Sequence, residues 1–337
     1  MRILIDKEKK FFKANLHTHT IESDGLATPE EIKAAYKSKG YSIVAYTEHD
    51  HITNNSALND VDFLTITSLE LAIKEFETVS SLVKTDMKVC HLNLYSLDPN
   101  QMKTPCYSSV YNRYLTDKNK DLLFHDGEYE RVYSKDGINE IIRIANKNGF
   151  LVSYNHPGWS LEDSRTYLEY DNLFAVEIYN TSCVKNGIPD DEVVFDHFLR
   201  EGKKIFCTAC DDCHTLHSFG SPYNDSFGGW VMINADKLDY STIMNALKNG
   251  DFYASTGPEI YSLTEDNGTV RVECSPAKSI TLVTGTRRAK TVFAQQGEFV
   301  NSSEFTVDEN DFYFRIRVED ENGKKAYSQA TFIKSNK

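Results

Sequence analysis

Between residues 10 and 250 the chain alternates between two hydrophobic periods, and this alternation limits the possible folds more than any other feature. Short apolar runs read as strands: "KANLH" (13–17), "YSIVAY" (41–46), "DFLTITSLE" (62–70), "FLVSYN" (150–155), "LFAVEIYN" (173–180) and "KKIFCTA" (203–209). Helical patterns lie between them. Thr28, Pro29 and Glu31 supply an N-cap, a first-turn proline and a capping-box glutamate. Ile32, Ala35 and Tyr36 make the apolar face, and Lys37, Lys39 and Gly40 close the helix. Ile138, Ile141, Ile142 and Ala145 before Gly149 mark a second helix, and Val193, Val194, His197 and Phe198 before Gly202 a third. Strands alternating with helices predict an α/β fold built from β-α-β units.

The pattern changes after residue 260. Phe312, Phe314, Ile316 and Val318 alternate with Tyr313, Arg315 and Arg317, the signature of a half-buried strand, and "ENGK" (321–324) is an Asn-Gly hairpin turn. No helix is predicted from 261 onward. The sequence thus divides into an α/β unit, residues 1–260, and a small all-β unit, residues 261–337. Residues 96–135 are polar and rich in tyrosine, and read as an insertion near the mouth of a site.

A chain of 337 residues can bury a large core without disulfides. Its net charge of −13 argues against a nucleic-acid polymer as partner, since backbone binding needs clustered Lys and Arg. A small phosphorylated substrate stays open, because metal ions reverse the local field. No run of 18 apolar residues or signal-like stretch occurs, so no membrane partner is predicted. Seven cysteines without small-scaffold spacing point to a reduced, cytoplasmic protein. Cys207, Cys210 and Cys213 read as strand and loop residues rather than a thiolate metal site. Arg287, Arg288 and Lys290 read as a solvated loop.

The chemistry gathers at strand ends. His17 and His19 close the first strand, with Asp24 shortly after. His49 follows the second, Glu70 ends the third, and His91 lies in "KVCHLNL". His156 follows "LVSYN", and Asp212 and His214 follow "KKIFCTAC". In barrels of alternating strands and helices this edge is where active sites are built. Imidazoles mixed with carboxylates suit zinc, manganese or iron.

"HTHT…SDG", "TEHD", "NHP" and "DDCH", in this order and spacing, resemble the motifs of the PHP (polymerase and histidinol phosphatase) family of metal-dependent hydrolases. The resemblance covers about residues 10–260. It implies a distorted seven-stranded β/α barrel, with a small β domain behind it, and two or three divalent metal ions. Carried over by position, it implies that His17, His19, Glu70 and Asp212 hold one metal. Glu70 would bridge to a second held by His91 and His156, and Asp24, His49 and His214 would hold a third. Asn15 and Glu48 depart from residues usual in the family.

Such a cluster implies hydrolysis of a small phosphate ester by a metal-bridging hydroxide, with Glu70, His156 and Asp212 at the reacting centre. His51 and His217 are candidates for protonating the leaving group, although both also read as ordinary surface histidines. Trp159, Tyr179, Asn180 and Lys185 are candidate substrate contacts. Cleavage of a carboxylic ester, amide or carbamate is the alternative reaction, and a metal-stabilised binding module the alternative without catalysis.

Overall fold

The computed structural model describes residues 1–75, 88–112, 114 and 123–333. Strand β1 (Arg2–Ile5) is followed by seven strands that are neighbours along one ladder. They are β2 (Lys10–Asn15), β3 (Ile43–Tyr46), β4 (Leu64–Lys74), β5 (Val89–Ser96), β6 (Phe150–Tyr154), β7 (Ala175–Asn180) and β8 (Phe206–Cys210). Strands β2, β3 and β4 are mutually parallel, as are β6, β7 and β8. β5 runs antiparallel to both its neighbours, which corrects the uniform alternation expected from the sequence. An antiparallel strand needs no crossover helix, and its first residues lie beside its neighbours' last ones. His91, third in β5, therefore reaches the edge where the parallel strands end.

The two ends of this ladder meet at that edge. The Asp212 N–H donates to the His17 carbonyl (3.0 Å) and the His19 N–H to the Cys213 carbonyl (2.9 Å). Further back, β2 pairs instead with β9 (Trp230–Ala235), which pairs with β10 (Phe252–Ser255).

The three helices expected from the sequence form, and three further ones were not read from it. α1 (Pro29–Ser38) has the reciprocal capping box of Thr28 and Glu31, a feature that contributes about 1 kcal/mol. α2 (Lys135–Lys147) buries Ile138, Ile141, Ile142 and Ala145. The short helices α3 (Ser164–Tyr167) and α4 (Thr181–Lys185) precede α5 (Glu192–Arg200) and α6 (Tyr240–Asn249). Alternation within the strands sorts the core. On β4, Leu69, Leu71 and Ile73 join the apolar cluster that packs under α2 and α5, while Glu70 faces the other way.

The rest of the chain is β-rich. β11 (Ile260–Asp266), β12 (Thr269–Ala277), β13 (Ser279–Thr284), β14 (Lys290–Phe293), β15 (Val300–Thr306), β16 (Tyr313–Glu319), β17 (Lys325–Ser328) and β18 (Thr331–Phe332) complete the order. β1, β11, β12 and β15 form a separate four-stranded sheet, so the N-terminal strand pairs with the tail. The other large tail strands continue the main sheet, because β17 pairs with β10. Ile280, Leu282, Ile316 and Val318 of one sheet share an apolar cluster with Leu263, Val270 and Val272 of the other.

Two expectations about β16 are corrected. Phe312 is exposed and lies before the strand at φ 64°, and Tyr313 through Ile316 are all buried. The reason is that β16 is covered on both faces, by the small sheet and by α5. Arg315 is taken up by Asp196 and Glu192 of α5 (2.8 and 2.9 Å), and the Tyr313 hydroxyl donates to Asp196 (2.9 Å). The hairpin at 321–324 forms, with both Asn322 N–H and Lys324 N–H donating to the Asp320 carboxylate.

Candidate metal centre

Glu70 lies at the middle of the site, buried, with five imidazoles around its carboxylate. His17 Nε2, His91 Nδ1 and His156 Nε2 stand 3.2, 3.0 and 3.4 Å from Oε1, and His19 Nε2 and His49 Nδ1 stand 3.4 and 3.1 Å from Oε2. Asp212 Oδ1 is 3.1 Å from His17 Nε2 and 3.2 Å from His19 Nε2. Asp24 sits to one side, 3.4 Å from His49 Nε2, 3.5 Å from His214 Nε2 and 3.7 Å from His19 Nδ1. All nine side chains from the strand ends thus meet in one place. Three groups of them bring their ligand atoms within 4.8 Å of one another: His19, Asp24, His49 and His214; His17, Glu70 and His156; and His17, His19 and Asp212.

The donor set suits divalent ions. Ligand atoms bound at about 2.1 Å to a tetrahedral or octahedral ion are roughly 3.0–3.4 Å apart. The separations around Glu70 fall in that range. His17 Nε2 and His19 Nε2 are themselves only 3.3 Å apart.

The electrostatics follow from burial of mixed charges. Burial disfavours charge on His17, but the carboxylates of Asp212, Glu70 and Glu177 outweigh it and hold the imidazolium well above its usual range. Burial likewise opposes charge on His19, and Asp212 and Glu70 raise it to about 10. Glu70 and Asp212 go the other way, kept ionised against burial by the surrounding imidazoles. In His91 burial prevails, and the ring is biased toward its neutral form. Protons on His17 and His19 thus balance the carboxylates of Glu70 and Asp212, and a divalent ion held by these residues would take their place.

The backbone is held in unusual conformations here. His156 and Asp212 have φ of 27° and 54°. Left-handed backbone at non-glycine residues persists only where surrounding structure enforces it. Gly25 packs so closely beneath the His19 peptide that a Cβ would stand 2.5 Å from its oxygen.

Four residues that position the cluster were missed from the sequence. Glu177 Oε1 lies 3.1 Å from His17 Nδ1, and its Oε2 accepts the His156 N–H (3.1 Å). A carboxylate behind a ligating imidazole fixes its tautomer, leaving Nε2 for the metal. Asn155 Nδ2 donates to Glu70 Oε1 (2.7 Å). Asp211 accepts from the Thr181 and Tyr36 hydroxyls and from the N–H groups of Phe227, Gly228 and Gly229, which fixes the peptide leading to Asp212. Arg131, fully buried, pairs with Asp50 and donates to the carbonyls of Ala72 (2.9 Å) and Cys106 (2.9 Å). The available signal was a lone carboxylate inside the apolar run "LFAVEIYN" and a doubled aspartate in "DDCH".

The expected substrate contacts separate. Trp159 is 43 % exposed, with its ring 5.1 Å from that of His91 and 4.9 Å from that of His156. Asn180 is buried and occupied: its Nδ2 donates to Glu177 (2.9 Å) and Asp212 (3.1 Å), and its Oδ1 caps α4 through the Cys183 N–H (2.9 Å). Its polar atoms are thus directed at Glu177, Asp212 and the start of α4. The β7–β8 register shifts between Glu177 and Tyr179, which allows Glu177 and Asn180 to share a face. Tyr179 packs against the large apolar cluster and Gly229. Lys185 Nζ donates to the Pro222 carbonyl (2.6 Å). His51 is buried with Nδ1 2.8 Å from the His49 carbonyl, and His217 is exposed beside Tyr223.

Asn15 and Glu48 both serve the loop that carries His19. Asn15 Nδ2 donates to the His17 carbonyl (3.0 Å), and Glu48 accepts from Thr20 Oγ1 (2.6 Å) and Ser23. Among the 96–135 residues, Tyr114 stacks at 5.6 Å on His49, and the Asn112 amide donates to the Asp50 carbonyl (3.3 Å). All seven cysteines are free and buried.

No family model matches the chain, and no curated protein matches it. Among solved structures, a two-domain protein from Bacteroides vulgatus described as containing a predicted PHP-like metal-dependent phosphoesterase is similar. It shares 14% identity over 98% of each chain, with a TM-score of 0.46. A protein from Bifidobacterium adolescentis described as a metal-dependent phosphoesterase shares 15% identity over 65% of this chain and 94% of its own, with a TM-score of 0.38. An amidohydrolase from Chromobacterium violaceum, solved with sulfate and no metal, shares 15% over 60% of this chain and 87% of its own, with a TM-score of 0.37. At such distances, what the chain does has to be read from its own side chains.

Proposed function

We propose that the chain is a metal-dependent hydrolase of a small phosphate ester. In this reading residues 1–260 form a distorted seven-stranded β/α barrel holding two or three divalent ions, and residues 261–337 a small β domain. The observation that carries it is Glu70, one buried carboxylate with five imidazole nitrogens within 3.4 Å. Five imidazoles around one buried carboxylate are more than an ion pair uses, and they fit a carboxylate shared between metals whose other ligands are those imidazoles.

His17, His19, Glu70 and Asp212 would hold one ion, Glu70, His91 and His156 a second, and Asp24, His49 and His214 a third. Divalent ions there supply a water acidified to near neutral pH and a counter-charge for phosphoryl oxygens. The remaining work belongs to the chain. Glu177 orients His17, and Asn180 and Asn155 orient Asp212 and Glu70, so that ligand atoms are preset rather than recruited. Trp159 borders the site beside His91 and His156 and offers a surface for the substrate's remainder.

Protein loaded in turn with zinc, manganese and iron should release inorganic phosphate from members of a phosphate-ester panel. If the same preparations cleave carboxylic esters, amides or carbamates and no phosphate ester, the alternative reaction is correct. If they cleave nothing, the catalytic reading fails.

A further inference from the structure

The rim around this site has an unusual charge distribution. Five segments border the strand ends: residues 16–28, 47–63, 155–163, 181–191 and 211–229. Together they contain thirteen Asp and Glu, one lysine and no arginine; two of the acids are the candidate ligands Asp24 and Asp212, five more (Glu48, Asp50, Glu162, Asp211 and Asp225) are buried, and the others include Glu22, Asp190 and Asp191. The lysine, Lys185, is tied to the Pro222 carbonyl. Nearby cations are also committed: Arg131 to Asp50, Lys103 to Asp126, Lys33 and Lys37 to Asp60, Arg165 to Asp163, and Lys88, whose neighbour Val89 donates its N–H to the Ser160 carbonyl, to the Thr166 hydroxyl (3.5 Å). Lys84, Arg113, Lys118 and Lys120 lie outside the described residues.

The same segments expose large apolar side chains. Ile21, Leu26, Trp159, Leu161, Leu216 and Phe219 are between 38 % and 63 % exposed. Trp159 is nearest the cluster, and its turn is fixed. The Gly158 N–H donates to Asp191 (3.0 Å) and the Ser160 N–H to the His156 carbonyl (3.1 Å). A ring held this way loses little freedom when another ring lies on it.

A cluster of divalent ions compensates one anionic group. A second anionic group on the same substrate would meet carboxylates and apolar surface, with no free cation in the described residues of these five segments to receive it. We propose that the site selects esters whose only anionic group is the one at the cluster, carried on an apolar or aromatic remainder that lies on Trp159. Substrates bearing a second negative charge are rejected by the rim. The choice of a phosphoryl head group rests on the phosphoesterase reading; the selection of the remainder does not.

The test is calorimetric titration of the manganese-loaded full chain with non-hydrolysable ligands. Benzylphosphonate should bind about three- to tenfold tighter than methylphosphonate, the scale of one aromatic contact. It should also bind tighter than 4-carboxybenzylphosphonate, by a margin that shrinks with added salt. Trp159→Ala, with unchanged circular dichroism and metal content, should bring benzylphosphonate down to the affinity of methylphosphonate. Leu216→Lys should raise affinity for the carboxylated ligand. Phenylacetate and acetate separate the two claims. Should no phosphonate bind while phenylacetate binds tighter than acetate, the phosphoesterase reading fails and the aromatic selection stands. Equal affinities within both pairs, a carboxylated ligand as tight as its parent, or no binding by any of the five would overturn the proposal.

Discussion

At the residue scale the account turns on Glu70. Replacing it with glutamine keeps the shape and removes the charge that would balance two ions. Glu70→Gln should lower kcat/KM by several kcal/mol of barrier, on the usual scale of metal catalysis, and lower metal content. Lys185→Ala should alter KM at most, since its ammonium is spent on the Pro222 carbonyl. Kinetics and elemental analysis of both variants decide it, and a Glu70→Gln enzyme with normal turnover would remove Glu70 from the centre. Glu177→Gln tests a residue behind the ligands. Metal affinity should fall about 10–100-fold with the fold intact, because the His17 tautomer is no longer fixed. An unchanged dissociation constant would make Glu177 a passive neighbour. Most of the nine candidate ligands were legible because they fall where an apolar run gives way to His or Asp, and the motif resemblance supplied the set; Glu70, read as a strand end, lies inside β4, and His91 near the start of β5. Glu177 was not legible, since one carboxylate in "LFAVEIYN" looks like an outward-facing residue until the partner strand is known. Asn180 was misread for the same reason, as a register shift decides which way it points.

At the element scale the main questions concern what is fastened to the rim. Arg131 comes from the stretch that the sequence left illegible, and it binds Asp50, the residue after His49. Arg131→Met strands a buried carboxylate, which costs about 3–5 kcal/mol when the partner of a buried pair is removed. Denaturant titration should show that loss, and a change under 1 kcal/mol would mean that water reaches Asp50. That stretch has no repeating hydrophobic period; its described residues are placed by isolated long-range contacts, such as Tyr129 N–H to the Tyr107 carbonyl (2.7 Å), that local pattern does not encode. The seam between α5 and β16 gives a pH prediction. Burial opposes charge on Glu192 and Asp196, and Arg315 outweighs it, so both carboxyls are held below their usual range. In acid the unfolded chain then binds more protons than the folded one. This part of the stability is full above the unfolded values near 4 and falls as pH drops toward the folded ones. Thermal melts between pH 6 and 3 should show a steeper decline than those of Arg315→Met, which is already less stable at pH 6 and keeps only the decline due to the other carboxylates. Parallel curves for both proteins would contradict it.

For the whole molecule, the sequence division at 260 separates the ligands from the tail, since each candidate ligand precedes residue 215. The packing joins the two units: β1 pairs in the tail's sheet, β17 pairs with β10, and Arg315 is buried against α5. Three helices and six strands up to 250 were readable because they repeat with one period each, whereas β9 and α6 were not read. The union with the tail was not, because it rests on a four-residue strand at the N-terminus and on an arginine whose burial depends on a helix more than a hundred residues away. The central claim, however, concerns what the nine side chains hold together. It is tested most directly by elemental analysis of gently purified full-length protein. The account predicts more than one equivalent of zinc, manganese or iron per chain, because these ligands are too many for a single ion. A content near zero that none of the three metals restores would contradict it.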